Sequence, residues 1–147
     1  MQYAPLWALC LMTAGAAWAG SGLDQARSEP NLEKRSGLAM DNAVAALKEA
    51  REAYKTGDLE TVKGKAAEVE ESVDLAYASL QQTKKDPRRS PKWFKRAEIE
   101  SRDLLRSLES LEHDMSFIDR AILEKPKAKV EQVHDDLLTG LMEGRRK

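Results

Sequence analysis

Leu59, Val62, Ala66, Val69, Val73, Ala76 and Leu80 follow one another at alternating spacings of 3 and 4 without a miss. That rhythm matches the 3.6-residue turn of an α-helix and no strand period, so it fixes one long amphipathic helix. Related stripes flank it. Leu32, Ser36, Ala39, Ala43, Leu47, Ala50 and Tyr54 precede it, and Phe94, Ala97, Ser101, Leu104, Leu108, Leu111 and Met115 follow. Leu123, Val130, Val133, Leu137 and Leu141 form the last apolar set. A chain that is 41% hydrophobic and 33% charged suits helices with one buried face and one solvated face.

Turn chemistry sets the boundaries. Gly57 tolerates the left-handed conformation that ends a helix, and Asp58 can cap the next one. Asp86, Pro87 and Pro91 interrupt the third stripe's approach, with Ser90 placed as N-cap and Pro91 at the first helical position. Ser116, Phe117, Ile118 and Asp119 read as a variant capping box with Asp in place of Glu. A break at 113–116 leaves Pro126 inside the last helix, where it predicts a kink costing about 3 kcal/mol. A break at Pro126 instead gives helices of very unequal length and makes Lys125 a poor cap, so the earlier break is preferred. The expected helices are 32–56, 59–85, 91–113 and 117–143, each about 35–40 Å long. Short links between them predict antiparallel neighbours. The fold class is therefore all-α, an antiparallel up-down-up-down four-helix bundle over 32–147. Both a monomer and a homodimer of long hairpins satisfy the pattern.

The 24 basic and 25 acidic side chains all lie beyond Ala19. Residues 1–19 contain the apolar run from Leu6 to Met12 and end in Ala17, Trp18 and Ala19, with small side chains where a signal peptidase requires them. The expectation is a cleaved export signal, despite an n-region without Lys or Arg, followed by a flexible leader over 20–31. The single cysteine, Cys10, would leave with the signal, so a periplasmic or secreted protein without thiol chemistry is expected.

The apolar stripes carry Ser36 and Ser101 and no charged residue. Acid–base work needs titratable groups in a partly dry site, so no enzyme is expected. Glu131 and His134 have the Glu-x-x-His spacing of ferritin-like metal sites, but the chemistry needs a second copy of that motif and ligands from two further helices. No second copy exists, and no metal is expected. The topology resembles cytochrome b562, a periplasmic four-helix bundle that holds haem between a Met of its first helix and a His of its last. Met40 and His134 are the matching residue types here. That resemblance implies an alternative as a carrier of haem b, against the plainer expectation of no cofactor. The plainer roles are Met40 as a core filler and His134 as a flank residue.

One charge asymmetry stands out against a formal net charge of −1. Lys84, Lys85, Arg88, Arg89, Lys92, Lys95 and Arg96 cluster around Trp93 and Phe94, with Asp86 as the sole opposing residue in that stretch. In a bundle this stretch shares an end with Lys34, Arg35 and the tail of Arg145, Arg146 and Lys147. Lys92, Lys95 and Arg96 fall in the first turns of a helix, where the macrodipole disfavours cations. Local stability therefore does not account for them. They predict a basic pole that meets an anionic lipid surface or an acidic envelope protein, with Trp93 either joining the contact or closing the bundle end as a lid. Nucleic acid is not an expected partner of an exported chain.

Overall fold

A computed structural model describes residues 22–144, and every regular element among them is helical. Five α-helices pack on one another: α1 (Gly22–Ser28), α2 (Leu32–Lys55), α3 (Leu59–Gln82), α4 (Pro91–Asp114) and α5 (Glu124–Glu143). A 3-10 turn, Asp119–Leu123, leads into α5. The expected export signal at 1–19 and the basic tail at 145–147 lie outside the described residues.

The stripes form one core. On α2 the buried face is mostly small, with Ala39, Ala43, Ala46 and Ala50 beside Met40 and Leu47. It meets Val62, Ala66, Val69, Val73 and Ala76 of α3, and these short side chains let the two backbones run close together. Leu104, Leu108 and Leu111 of α4 and Val130, Val133 and Leu137 of α5 fill the wider remainder. Full burial of each Leu or Val contributes about 1.5–3 kcal/mol, so the core rests on hydrophobic area. Ser101 sits in it by donating its hydroxyl to the Glu98 carbonyl at 2.8 Å.

Polar contacts record how the helices run. Lys85–Glu33, Asn42–Ser72 and Lys65–Glu49 join α3 and its C-terminal link to α2 in opposite chain directions. Lys127–Glu112 and His134–Glu98 do the same for α5 and α4. Asp41–Arg96 and Arg51–Asp114 join α2 to α4 in the same direction. α3 also packs on α5, whereas α3 and α4 touch only slightly and the backbones of α2 and α5 do not approach closely.

Several expectations are corrected. The leader 20–31 contains α1, whose Leu23 and Ala26 are buried against the long helices while Arg27 reaches Glu71 at 3.1 Å. Seven residues are too few for a helix on its own, so tertiary burial makes it. The helix expected to reach 85 stops at Gln82, because Lys84 takes a left-handed φ of 56°. The consecutive helices α3 and α4 are not the close neighbours that a short link predicts. The link 83–90 instead crosses the bundle end, with buried Pro87 lying 3.3 Å from where a Cβ on Gly140 of α5 would stand. Pro126 produces no interior kink: the 3-10 turn places it in the first turn of α5, where backbone N–H groups have no intrahelical partner to lose.

Candidate anion-docking surface

The stretch rich in cations occupies the link 83–90 and the first two turns of α4. Asp86 builds the link: its carboxylate accepts from the Arg88 amide at 2.9 Å, and its carbonyl accepts from the Arg89 and Ser90 amides. Ser90 and Pro91 stand where the sequence places them, but the Ser90 side chain makes no capping hydrogen bond. The first turn of α4 also holds no acidic residue. The positive end of the helix therefore adds to the side chains around it.

Trp93 is the centre of this surface. It is half-buried and packs on the core, and its ring edge lies 3.1 Å from where a Cβ on Gly37 of α2 would be. Glycine at 37 leaves room for the indole edge against α2. Lys92 and Arg96 stand over the ring, 5.6 and 5.4 Å from its centroid. The indole also divides two shallow clefts. One of about 270 Å3 is shared with Lys34, Gly37, Asp41 and Arg96, and the other, of about 490 Å3, with Glu33, Lys85, Lys92 and Lys95.

The seven cations are not equivalent. Lys85 pairs with Glu33 at 2.7 Å, and Arg96 pairs with Glu100 at 2.8 Å and Asp41 at 3.2 Å. Its hydrogen bond to Glu100 comes first among the contacts that hold the Arg96 pKa above the ordinary arginine value. Asp86 is the sole acidic residue within the stretch, and these partners reach the cluster from outside. Glu33 and Asp41 come from α2 and leave no local signal, whereas Glu100 stands four residues after Arg96 on the same helix, a readable spacing. Arg35 turns away, donating to the Glu29 carbonyl at 2.8 Å. Arg88, Arg89, Lys92 and Lys95 are exposed and make no ion pair among the described residues. Lys84 also has a partner, so the basic pole contracts to these four cations, with Lys92 over the Trp93 ring.

The opposite end is balanced. Asp58 caps α3, and the hydroxyl and amide of Thr61 hold its carboxyl below the ordinary aspartate pKa. Glu112 pairs with Lys127 and Asp114 with Arg51. Asp119 accepts hydrogen bonds from the hydroxyls of Tyr54 and Ser116.

Met40 is buried on α2, and His134 is on α5, two helices whose backbones do not approach closely. The imidazole Nε2 of His134 lies 3.1 Å from Glu98, and Nδ1 lies 3.4 Å from Asp135. Both ring nitrogens of His134 have carboxylate neighbours, and Met40 belongs to the apolar core. Glu131 is exposed, and no group of three or more His, Cys, Asp or Glu among the described residues is gathered to hold a metal. Comparison with known protein families, with curated proteins and with solved structures gives no match.

Proposed function

We propose that this chain is an exported, non-catalytic helical module of the cell envelope that docks through its basic pole onto an anionic surface, either phospholipid headgroups or an acidic envelope protein. Export is inferred from the uncharged segment 1–19 with its Ala17, Trp18, Ala19 ending, and implies removal of that segment. The opposed directions of α2 with α3 and of α4 with α5 support an up-down-up-down four-helix bundle, to which α1 adds a short brace. In such a rod the docking surface and the chain's apolar core are separate, so binding can change without loss of folding.

The observation that carries this reading is that Arg88, Arg89, Lys92 and Lys95 are exposed without ion pairs among the described residues, with Lys92 over the Trp93 ring, at a helix end where cations lower stability. Each cation near an anionic membrane contributes about 1 kcal/mol, so four contribute about 4 kcal/mol, a millimolar association for one copy. Trp93 adds an amphipathic ring of the kind that sits at headgroup level.

Flotation with vesicles of phosphatidylglycerol and phosphatidylcholine tests the lipid arm, with pure phosphatidylcholine as control. Capture from envelope extract tests the protein arm. Binding should fall as salt rises, because the screening length shrinks from about 10 Å at 0.1 M to about 3 Å at 1 M. The double substitution Arg88→Glu with Arg89→Glu brings the four-residue sum to zero, and should abolish capture while leaving the melting temperature unchanged. Capture by neither target, or capture indifferent to salt and to this substitution, defeats the reading.

A further inference from the structure

At the end remote from the basic pole, the turn between α4 and the 3-10 segment exposes Phe117 at 87% and Ile118 at 84%. They are the two most exposed large apolar side chains among the described residues, and they are adjacent. The turn that carries them is held firmly. The Tyr54 hydroxyl accepts from the Ser116 amide at 2.8 Å and donates to the Asp119 carboxylate at 3.1 Å. Ser116 donates its own hydroxyl to the same carboxylate at 2.8 Å, and Arg120 reaches back to the Met115 carbonyl at 3.3 Å. A polar residue at either exposed position would leave all of these bonds intact, so the fold does not require Phe and Ile there.

The same chain carries a feature of complementary chemistry. Between α2 and α4 lies an apolar groove of about 220 Å3, lined by Val44, Leu47 and Leu104 and rimmed by Lys48, Arg51 and Asp103. Val44 is itself half exposed. An apolar cavity of about 150 Å3 holds a benzene molecule, so this groove admits a phenyl ring. Charge is matched as well: Asp119 beside the knob takes only hydroxyl donors and no cation, and Lys48 on the groove rim makes no ion pair, among the described residues. The carboxylate of Asp119 makes an anionic membrane a poor occupant for the knob.

We propose that Phe117 and Ile118 of one copy of this chain dock into the Val44, Leu47 and Leu104 groove of a second copy. Each copy carries one knob and one groove, so a reciprocal two-fold exchange closes at two copies and leaves no contact open. The contact involves α2, α4 and the 114–119 turn, and leaves Arg88, Arg89, Lys92 and Lys95 outside it. The inference therefore stands independently of anionic docking, while supplying a second basic pole to any surface the first one meets.

Sedimentation equilibrium of the purified protein, up to millimolar concentration, tests this directly. The unsubstituted chain should show a concentration-dependent dimer. Phe117→Ser removes the knob, and Val44→Glu places a charge in the groove. Each should raise the dimer dissociation constant about tenfold or more, the loss expected when a central apolar anchor is truncated. Both sites are exposed, so the melting temperature of the monomer should hold. A chain that stays monomeric throughout overturns the proposal, as does a dimer that neither substitution weakens. Flotation with neutral phosphatidylcholine vesicles that disappears in Phe117→Ser, without self-association, overturns it in favour of a lipid-facing knob.

Discussion

Replacing Tyr54 by Phe removes one oxygen and separates the role of the 114–119 turn from that of the core. The ring of Tyr54 packs on the core and stays, while the hydroxyl gives up two bonds, one from the Ser116 amide and one to Asp119. An ordinary hydrogen bond contributes about 0.5–1.5 kcal/mol net, and one to a charged group about 1.5–3 kcal/mol. Asp119 keeps its bond from Ser116, and the Ser116 amide is open to water, so both partners recover part of the loss. The two bonds together contribute about 2–4.5 kcal/mol, and the recovery brings the expected cost below that, to about 1–2 kcal/mol. For a domain of this size that lowers the melting temperature by about 5 °C in a circular dichroism melt at 222 nm. Hydrogen exchange supplies the local readout: the Ser116 amide should lose protection while amides in the middle of α3 keep theirs relative to global stability. An unchanged melting temperature together with unchanged exchange at Ser116 would refute the clamp. A uniform loss of protection across α3 would mean that Tyr54 acts through packing instead.

Two further outcomes follow from the interior. Leu108 is fully buried on α4, and Leu108→Ala should destabilise by about 2–5 kcal/mol in urea unfolding, through lost burial and the cavity left behind. Burial works to raise the Glu68 carboxyl, but hydrogen bonds from Asn42 and Lys65 outweigh it and hold its pKa below the ordinary 4.5. Its stabilising contribution is therefore complete above that value and fades as pH falls through the lowered folded-state pKa. Glu68→Gln should flatten the acid side of the melting temperature against pH profile, and an unchanged slope below pH 4.5 would refute the assignment.

The helices were legible because burial follows the 3.6 period directly. Each member of the Leu59 to Leu80 stripe from Val62 onward is buried, and Gly57 takes the left-handed φ of 77° that ends a helix. The break before Ser116 was legible from side chains that bond locally. Failures occurred where distant residues decide. α1 forms because Leu23 and Ala26 find α2 and α3, a contact no window of seven residues contains. The link that carries the chain across the bundle from α3 to α4 lays Pro87 beside Gly140, two residues far apart in the chain. The basic stretch was readable as a composition, but its effective charge was not: Glu33 and Asp41 reach Lys85 and Arg96 only after α2 has packed.

Those pairings also explain why the basic pole and the core make opposite demands on the same helix. Arg96 is held between Glu100 and Asp41 with its guanidinium over Trp93, so it ties α4 to α2 and fixes the indole against Gly37. Lys92 shares the Trp93 ring but takes no carboxylate among the described residues. Lys95, one residue before Arg96, has neither ring nor carboxylate among the described residues. Adjacent cations on one turn therefore divide their work: one is neutralised in the fold, and its neighbours keep their charge for solvent. If stability alone had shaped this turn, acidic residues would serve better at Lys92 and Lys95, since they favour the positive end of a helix by about 0.3–1 kcal/mol each. Lys92→Glu and Lys95→Glu should accordingly raise the melting temperature slightly while weakening capture on anionic vesicles. Stability and binding moving together in those variants would mean that these lysines support the fold through contacts of their own, and that the surface carries no separate docking role.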